Sequence, residues 1–214
     1  MLLETDRVYE QLLKMIITLE LEPGSTITHS ELAELLRCGR TPLREATQRL
    51  MATGLLLHTA NRGISVAPLD IRHYAPSAEA WACVHGFATR LAALRRTDEQ
   101  LAQLDDVLAK TDLREACFSE NALLDVEFHC LLAQASQNEY VADAAARIEL
   151  VVIRFSSVYH ASRSVREEVW SYHDKILSAV RDRDPDKAEQ MLLAHMDVAK
   201  RHVFSSSGYM GAAD

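Results

Sequence analysis

The sequence predicts a mainly α-helical protein in two parts: a small N-terminal unit of three short helices and a hairpin, then an antiparallel all-α bundle. Three observations lead there. Apolar residues recur at helical spacing over most of the 214 residues. Strand-like runs are confined to residues 55–67, on either side of an Asn-Arg-Gly turn. Past Asp70 the strand signals stop, and Pro and Asp residues punctuate long amphipathic segments.

The elements follow in order. Val8, Leu12, Leu13, Ile16 and Ile17 share one face of a helix over 6–19, with Asp6 as its cap and Glu22-Pro23-Gly24 as the turn after it. Thr28 and Glu31 have capping-box spacing and open a helix to Leu36. Thr41 as N-cap and Pro42 at the first helical position open a third helix, to Thr53, which Gly54 closes. Leu55–Thr59 and Ile64–Ala67 read as strands joined by Ala60-Asn61-Arg62-Gly63. Six helices are predicted beyond, over 72–95, 98–111, 117–137, 139–160, 163–182 and 185–204. The stretch from Ser205 has no apolar anchor. The expected organisation is a DNA-facing domain over 1–69, a helical domain over 70–205 and a flexible tail over 206–214.

Composition narrows the function. At 48% hydrophobic residues the chain can bury a sizeable core, and a net charge of −8 argues against coating nucleic acid non-specifically. Between Arg37 and Val66, however, five arginines face one acid, Glu45, so this stretch carries about +4 and the remainder about −12. Four cysteines, Cys38, Cys83, Cys117 and Cys130, form no Cys-x-x-Cys pair, which excludes a thiolate zinc knuckle and a dithiol redox centre. With no signal-peptide pattern and no apolar run near the ~18 residues of a membrane span, a cytoplasmic protein with no membrane partner is expected.

Helix, helix, turn, helix and hairpin form a winged helix-turn-helix layout, and the charges suit double-stranded DNA. A helix fits the major groove, and residues at its N-terminus reach base edges. Arg40, Thr41 and Arg44 sit at that start; Arg49 lies more than a turn along, at backbone distance; Asn61, Arg62 and Gly63 make the wing tip. The segment resembles the DNA-binding domain of the GntR family of bacterial repressors. The matching marks are Pro23-Gly24, Glu31-Leu32-Ala33, Arg40-Thr41-Pro42-Leu43-Arg44-Glu45-Ala46, Arg49-Leu50, Gly54-Leu55 and Asn61-Arg62-Gly63. The chain departs from that pattern at Gly39, where the family usually has a serine that bonds a phosphate, and at Arg37, where a glycine is common.

A second constellation lies in the bundle. Asp125 and His129 are four residues apart on one helix face, flanked by Leu124, Phe128, Leu131 and Leu132, so that face points inward. His173 and His195 lie about eleven residues before and after the turn near Asp184, at similar height on antiparallel helices. One carboxylate and three imidazoles in convergence suit Zn²⁺, Ni²⁺ or Mn²⁺. The set is similar to that of the FCD domain of FadR-type GntR regulators, in its six-helix, VanR-like form, through Asp125-Val126-Glu127-Phe128-His129, Asn138 and the two later histidines. The resemblance places an arginine and a glutamate on the first bundle helix where this chain has Trp81 and His85, which makes those two candidate effector contacts. Arg154 is a further candidate for an anionic effector.

The resemblance implies a repressor that binds an inverted-repeat operator as a homodimer and answers to a small organic acid at the metal. A metal-dependent hydrolase with an accessory helical domain is the alternative. Against it, spacing sets no second carboxylate beside the four donors. A third reading is an interaction bundle with a structural metal.

Overall fold

The computed structural model describes residues 3–59, 63–111, 118–159 and 162–208. The chain forms two compact units, Met1–Leu69 and Asp70–Asp214.

In the N-terminal unit, α1 (Glu4–Ile17), α2 (His29–Leu35) and α3 (Arg40–Ala52) accompany a three-stranded antiparallel sheet of order β1-β3-β2. Val8, Leu12 and Ile16 of α1, Leu32 of α2, Leu43 and Leu50 of α3, and Ile64 and Val66 of β3 (Gly63–Val66) are essentially buried and make one core. β2 (Leu56–Thr59) pairs with β3 in the register Leu56↔Val66 to Thr59↔Gly63. β1 (Thr26–Ile27) pairs with the other edge of β3 and was not foreseen, because two residues are too few for an alternation to register. Its approach explains Gly63: φ is +90°, and a Cβ there would lie 2.8 Å from the Ile27 carbonyl oxygen.

Two helix starts differ from expectation. The helix α1 begins at Glu4, with Leu3 as N-cap and no side-chain cap; Asp6 falls in the first turn, where it still suits the helix dipole. The helix α3 begins at Arg40 with Gly39 as N-cap, so Thr41 is not the cap and Pro42 is the third helical residue. Proline is tolerated there because the first-turn N–H groups have no intrahelical acceptor. The capping box at the start of α2 forms as read: Thr28 Oγ1 accepts from Glu31 N at 3.2 Å, and Glu31 Oε2 accepts from Thr28 N at 2.8 Å.

The C-terminal unit opens with a 3₁₀ turn, Ile71–His73, and continues as α4 (Tyr74–Arg95), α5 (Asp98–Ala109), α6 (Phe118–Gln134), α7 (Glu139–Val158), α8 (Arg163–Arg181) and α9 (Pro185–Ser207). Thr97 and Gln100 form a second capping box, and Asp184 caps α9 ahead of Pro185. The residues expected to begin a loose tail instead finish α9. Ser205 and Ser207 bond back to the carbonyls of His202 and Phe204, and Gly208, at φ +66°, ends the helix. The α8–α9 pair packs along its length, as do α4 with α9 and α6 with α7. Among the described residues no helix is long and apolar enough to cross a membrane. Among the described residues, the buried polar groups of the bundle are His85, His129, His173, His195, Asn121, Glu149 and Arg154, with Thr89, Arg96, Ser136 and Ser157.

Leu12 is fully buried among these N-terminal core side chains. Leu12→Ala is expected to destabilise that domain by about 2–5 kcal/mol, read as a lower urea midpoint for its unfolding; an unchanged midpoint would contradict the core described.

Candidate functional site

The basic surface comes first. Arg40, Thr41 and Arg44 lie in the first turns of α3 and are exposed, as is Arg37 just after α2. Among the described residues, the guanidinium groups of Arg37, Arg40 and Arg44 have no ion-pair partner. Arg49 differs: its Nη1 donates to Asp6 Oδ1 at 2.8 Å, and its guanidinium lies 4.0 Å from the centroid of the Tyr9 ring. It ties α3 to α1. Gly63 begins β3, whereas Asn61 and Arg62 lie outside the described residues. At Gly39 an added Cβ would meet only Pro42, at 3.6 Å and 3.7 Å, so the missing serine is no consequence of crowding.

The second site is at the centre of the C-terminal bundle. Asp125 and His129 come from α6, His173 from α8 and His195 from α9, and one donor atom of each lies within 4.8 Å of all the others. Asp125 Oδ1 is 3.3 Å from His173 Nε2 and 4.0 Å from His129 Nε2. His129 Nε2 and His195 Nε2 are 3.2 Å apart. His195 Nδ1 faces the Val169 carbonyl at 3.4 Å. A carbonyl only accepts, so this contact assigns the hydrogen to Nδ1 and leaves the Nε2 lone pair facing the cluster. Both ring nitrogens of His173 and Nδ1 of His129 are buried with no hydrogen-bond partner among the described residues. Buried lone pairs that converge without hydrogens between them are unfavourable unless a cation sits among them. The donor set therefore fits a divalent transition ion, with each imidazole able to offer one nitrogen.

Burial controls the protonation of these groups. It holds His129 and His173 well below the usual imidazole value and brings His195 down to about 4. It raises Asp125 to about 7.

A third layer stands behind the four donors. Trp81 Nε1 donates to Glu149 Oε2 at 2.6 Å across 68 residues of sequence. His85 stacks on Trp81, ring centroids 4.3 Å apart, and its Nε2 lies 3.2 Å from the Ala145 carbonyl and 3.4 Å from Glu149 Oε2. The carbonyl again assigns the hydrogen to Nε2, where Ala145 accepts it, and Glu149 Oε2 lies beside that same nitrogen. His85, His129 and Glu149 also lie close enough to share an ion, but the hydrogen on His85 Nε2 favours a hydrogen-bonded support. Burial, then the neighbouring Asp125, pushes Glu149 well above the ordinary carboxylate range, and burial brings His85 down to about 3.

These layers meet at a cavity of about 80 Å³ whose wall includes Trp81, Asn121, Asp125, His129, Glu149 and His195. His85 is not in that wall; it stands behind Trp81. Arg154 is buried and is also not in the wall. On α7 the cavity face is Glu149, Val152, Ile153 and Ser156, and Arg154 is out of phase with it. The wall instead contains Arg166 and His202, whose Nε2 lies 2.8 Å from the Tyr159 carbonyl. Sequence reading missed Glu149, Asn121, Arg166 and His202. Glu149 alone had a signal: it is a lone acid in the apolar run Ile148-Glu149-Leu150-Val151-Val152-Ile153.

Comparison with known proteins is consistent along the chain. The FCD domain matches residues 78–198, and the family described as "Bacterial regulatory proteins, gntR family" matches residues 4–66. The "Nta operon transcriptional regulator" of Aminobacter aminovorans is 36% identical over 85% of this chain and 86% of its own length. The "HTH-type transcriptional repressor NanR" of an Enterobacter species is 28% identical over 90% of this chain and 82% of its own. Among solved structures, E. coli McbR/YncC superposes with a TM-score of 0.85 at 18% identity, covering 97% of this chain and 100% of that one, a likeness of fold.

The buried neutral histidines make stability depend on pH. Below the ordinary value of 6.5 the unfolded chain protonates imidazoles that the folded chain keeps neutral, so it binds more protons and stability falls. Asp125 and Glu149, raised by burial, act in the opposite sense below about 7. The four histidines outnumber them. The metal-free protein should lose stability as pH falls from 6.5 toward about 4, by ~1.4 kcal/mol per pH unit for each net proton. Urea titrations across that range check it, and a flat profile would contradict neutral burial of the rings.

Proposed function

This chain belongs to the GntR family of bacterial transcriptional regulators and carries an FCD effector-binding domain, and from that premise we propose that it is a repressor controlled by a small carboxylate metabolite at a metal-dependent site. It is a regulator and not an enzyme, so the hydrolase alternative falls.

The observation that carries the reading is the convergence of Asp125, His129, His173 and His195 on one point beside a cavity. These residues would hold Zn²⁺, Ni²⁺ or Mn²⁺. Bound there, such an ion would compensate the half-buried carboxylate of Asp125 and offer open positions to an effector's carboxylate. The residues of the chain do the rest. The apolar wall excludes water, Val169 orients His195, and Trp81 with His85 fixes Glu149. In the N-terminal domain, Arg40, Thr41 and Arg44 meet the major groove, and Arg37 supports them from the backbone side. Arg62 and Asn61 are proposed to reach DNA from the wing, with Gly63 at its root. Arg49 serves the fold through Asp6 and Tyr9.

A homodimer would match two such domains to an inverted-repeat operator. Effector binding would shift the population between DNA-competent and DNA-incompetent arrangements, by no more than its difference in affinity for the two. The relative named a repressor, NanR of Enterobacter, supports the sign of the regulation.

Two substitutions test the two halves separately. Arg44→Ala should weaken operator binding by about tenfold or more in a gel-shift titration at physiological salt, with an unchanged melting temperature; equal affinity would remove α3 as the reading helix. His129→Ala should lose the metal in elemental analysis and with it the effector's power to release the operator, while DNA binding persists. Full metal occupancy in that variant would contradict the proposed ligand set.

A further inference from the structure

The cavity holds polar groups that neither the donor cluster nor the hydrophobic packing requires. Asn121 is 3% exposed, lines the cavity one helical turn before Asp125, and has neither its Oδ1 nor its Nδ2 hydrogen-bonded to any group among the described residues. An amide left unsatisfied on both atoms in an interior is costly, of order 1–3 kcal/mol per group, and native structures contain few of them. Glu149 is 2% exposed, lines the same cavity, and is held from behind by Trp81 and the His85 ring. A carboxyl oriented in this way, and opening on a cavity, is set to take a further hydrogen bond from whatever occupies it.

The size of the cavity restricts the occupant. A volume of about 80 Å³ accommodates roughly half a dozen water-sized groups. A small acid of a few carbons fits within it. Much of the remaining wall is apolar, with Val152, Ile153, Val169, Trp170 and Met196 around these polar groups. Ser156, Arg166 and His202 also line it; apart from these and the donor cluster, such a wall gives no partner to a polar group, so the positions of Asn121 and Glu149 weigh on which substituents are accepted.

We propose that the effector is a small carboxylic acid bearing a hydroxyl or amino group, and that Asn121 and Glu149 select it by hydrogen-bonding that group. Glu149 accepts the O–H or N–H of the ligand. Asn121 supplies a donor to a ligand oxygen and an acceptor to a ligand hydrogen. Trp81 and His85 are positioning residues that act through Glu149. An acid with hydrogen in place of that group leaves the Asn121 amide unpaired and gives Glu149 no partner beyond Trp81. A site built to bond a ligand hydroxyl or amine rejects the analogue without it far more strongly than an apolar pocket rejects a missing methylene. This inference rests on the reading of the cavity as the effector site.

The test uses the full-length protein loaded with Zn²⁺ and two matched series, propionate, lactate and alanine, then succinate, malate and aspartate, with affinity read by calorimetry. In at least one series the hydroxy or amino acid should bind about tenfold or more tightly than the unsubstituted acid. Asn121→Ala and Glu149→Gln should each pull that ratio toward one while Zn²⁺ content stays at the wild-type level. Asn121→Ala keeps the test decisive if Glu149→Gln disturbs folding. Equal affinity within each series, or a ratio that survives both substitutions, would overturn the selection while leaving the effector site in place. Failure of every acid to bind, with operator affinity unmoved by any of them, would overturn the effector reading itself.

Discussion

Burial of polar groups at the centre of the C-terminal bundle is the constraint around which the rest is arranged. Four imidazoles and two carboxyls lie within a few side-chain lengths of one another on five helices, α4, α6, α7, α8 and α9. Taking such groups from water costs several kcal/mol each unless they are paired. Part of the pairing is internal: Val169 for His195, Ala145 for His85, Trp81 for Glu149. The remainder, including both nitrogens of His173, is left open. Helix length, antiparallel order and the tight Asp184-Pro185 turn all serve to bring these groups to one height. The apolar shell of Phe128, Trp170, Ile176 and Leu192 keeps them dry.

What could be read from the chain was what depends on short-range spacing. Asp125 and His129 share a face because they are one turn apart, and His173 and His195 are symmetric about a turn marked by proline. Capping boxes at Thr28 and Thr97 set helix starts for the same local reason. Glu149, Asn121 and His202 escaped because their meaning comes from neighbours far away in sequence, such as Trp81, 68 residues from Glu149. The β1 strand escaped because two residues carry no period. At α3 two capping signals competed, and backbone geometry placed the cap at Gly39 rather than at Thr41, whose side chain is the better cap.

The arginines show how little charge counting settles. Arg49 belongs to the same basic stretch as Arg40 and Arg44, yet it is anchored on Asp6 and Tyr9. Arg154 is buried in the bundle, where burial lowers its guanidinium to about 10, and it faces away from the cavity. Position relative to a helix start or a helix face, rather than residue type, separates a cation that meets a partner from one that holds the fold.

The exposed state of Arg37, Arg40 and Arg44 has an evolutionary consequence. Their side chains add no contact to the core, so replacing them leaves folding nearly untouched, and on the proposed reading operator preference can drift by single substitutions. The cavity beside the donor cluster has no such freedom. Its walls are also the bundle interior, and a change of taste there perturbs packing and buried hydrogen bonds together. On the proposed reading, the address on the genome is readily rewritten within one chain while the signal it answers to is conservative, and relatives that share this cavity and differ at those three positions would place different genes under the same metabolite.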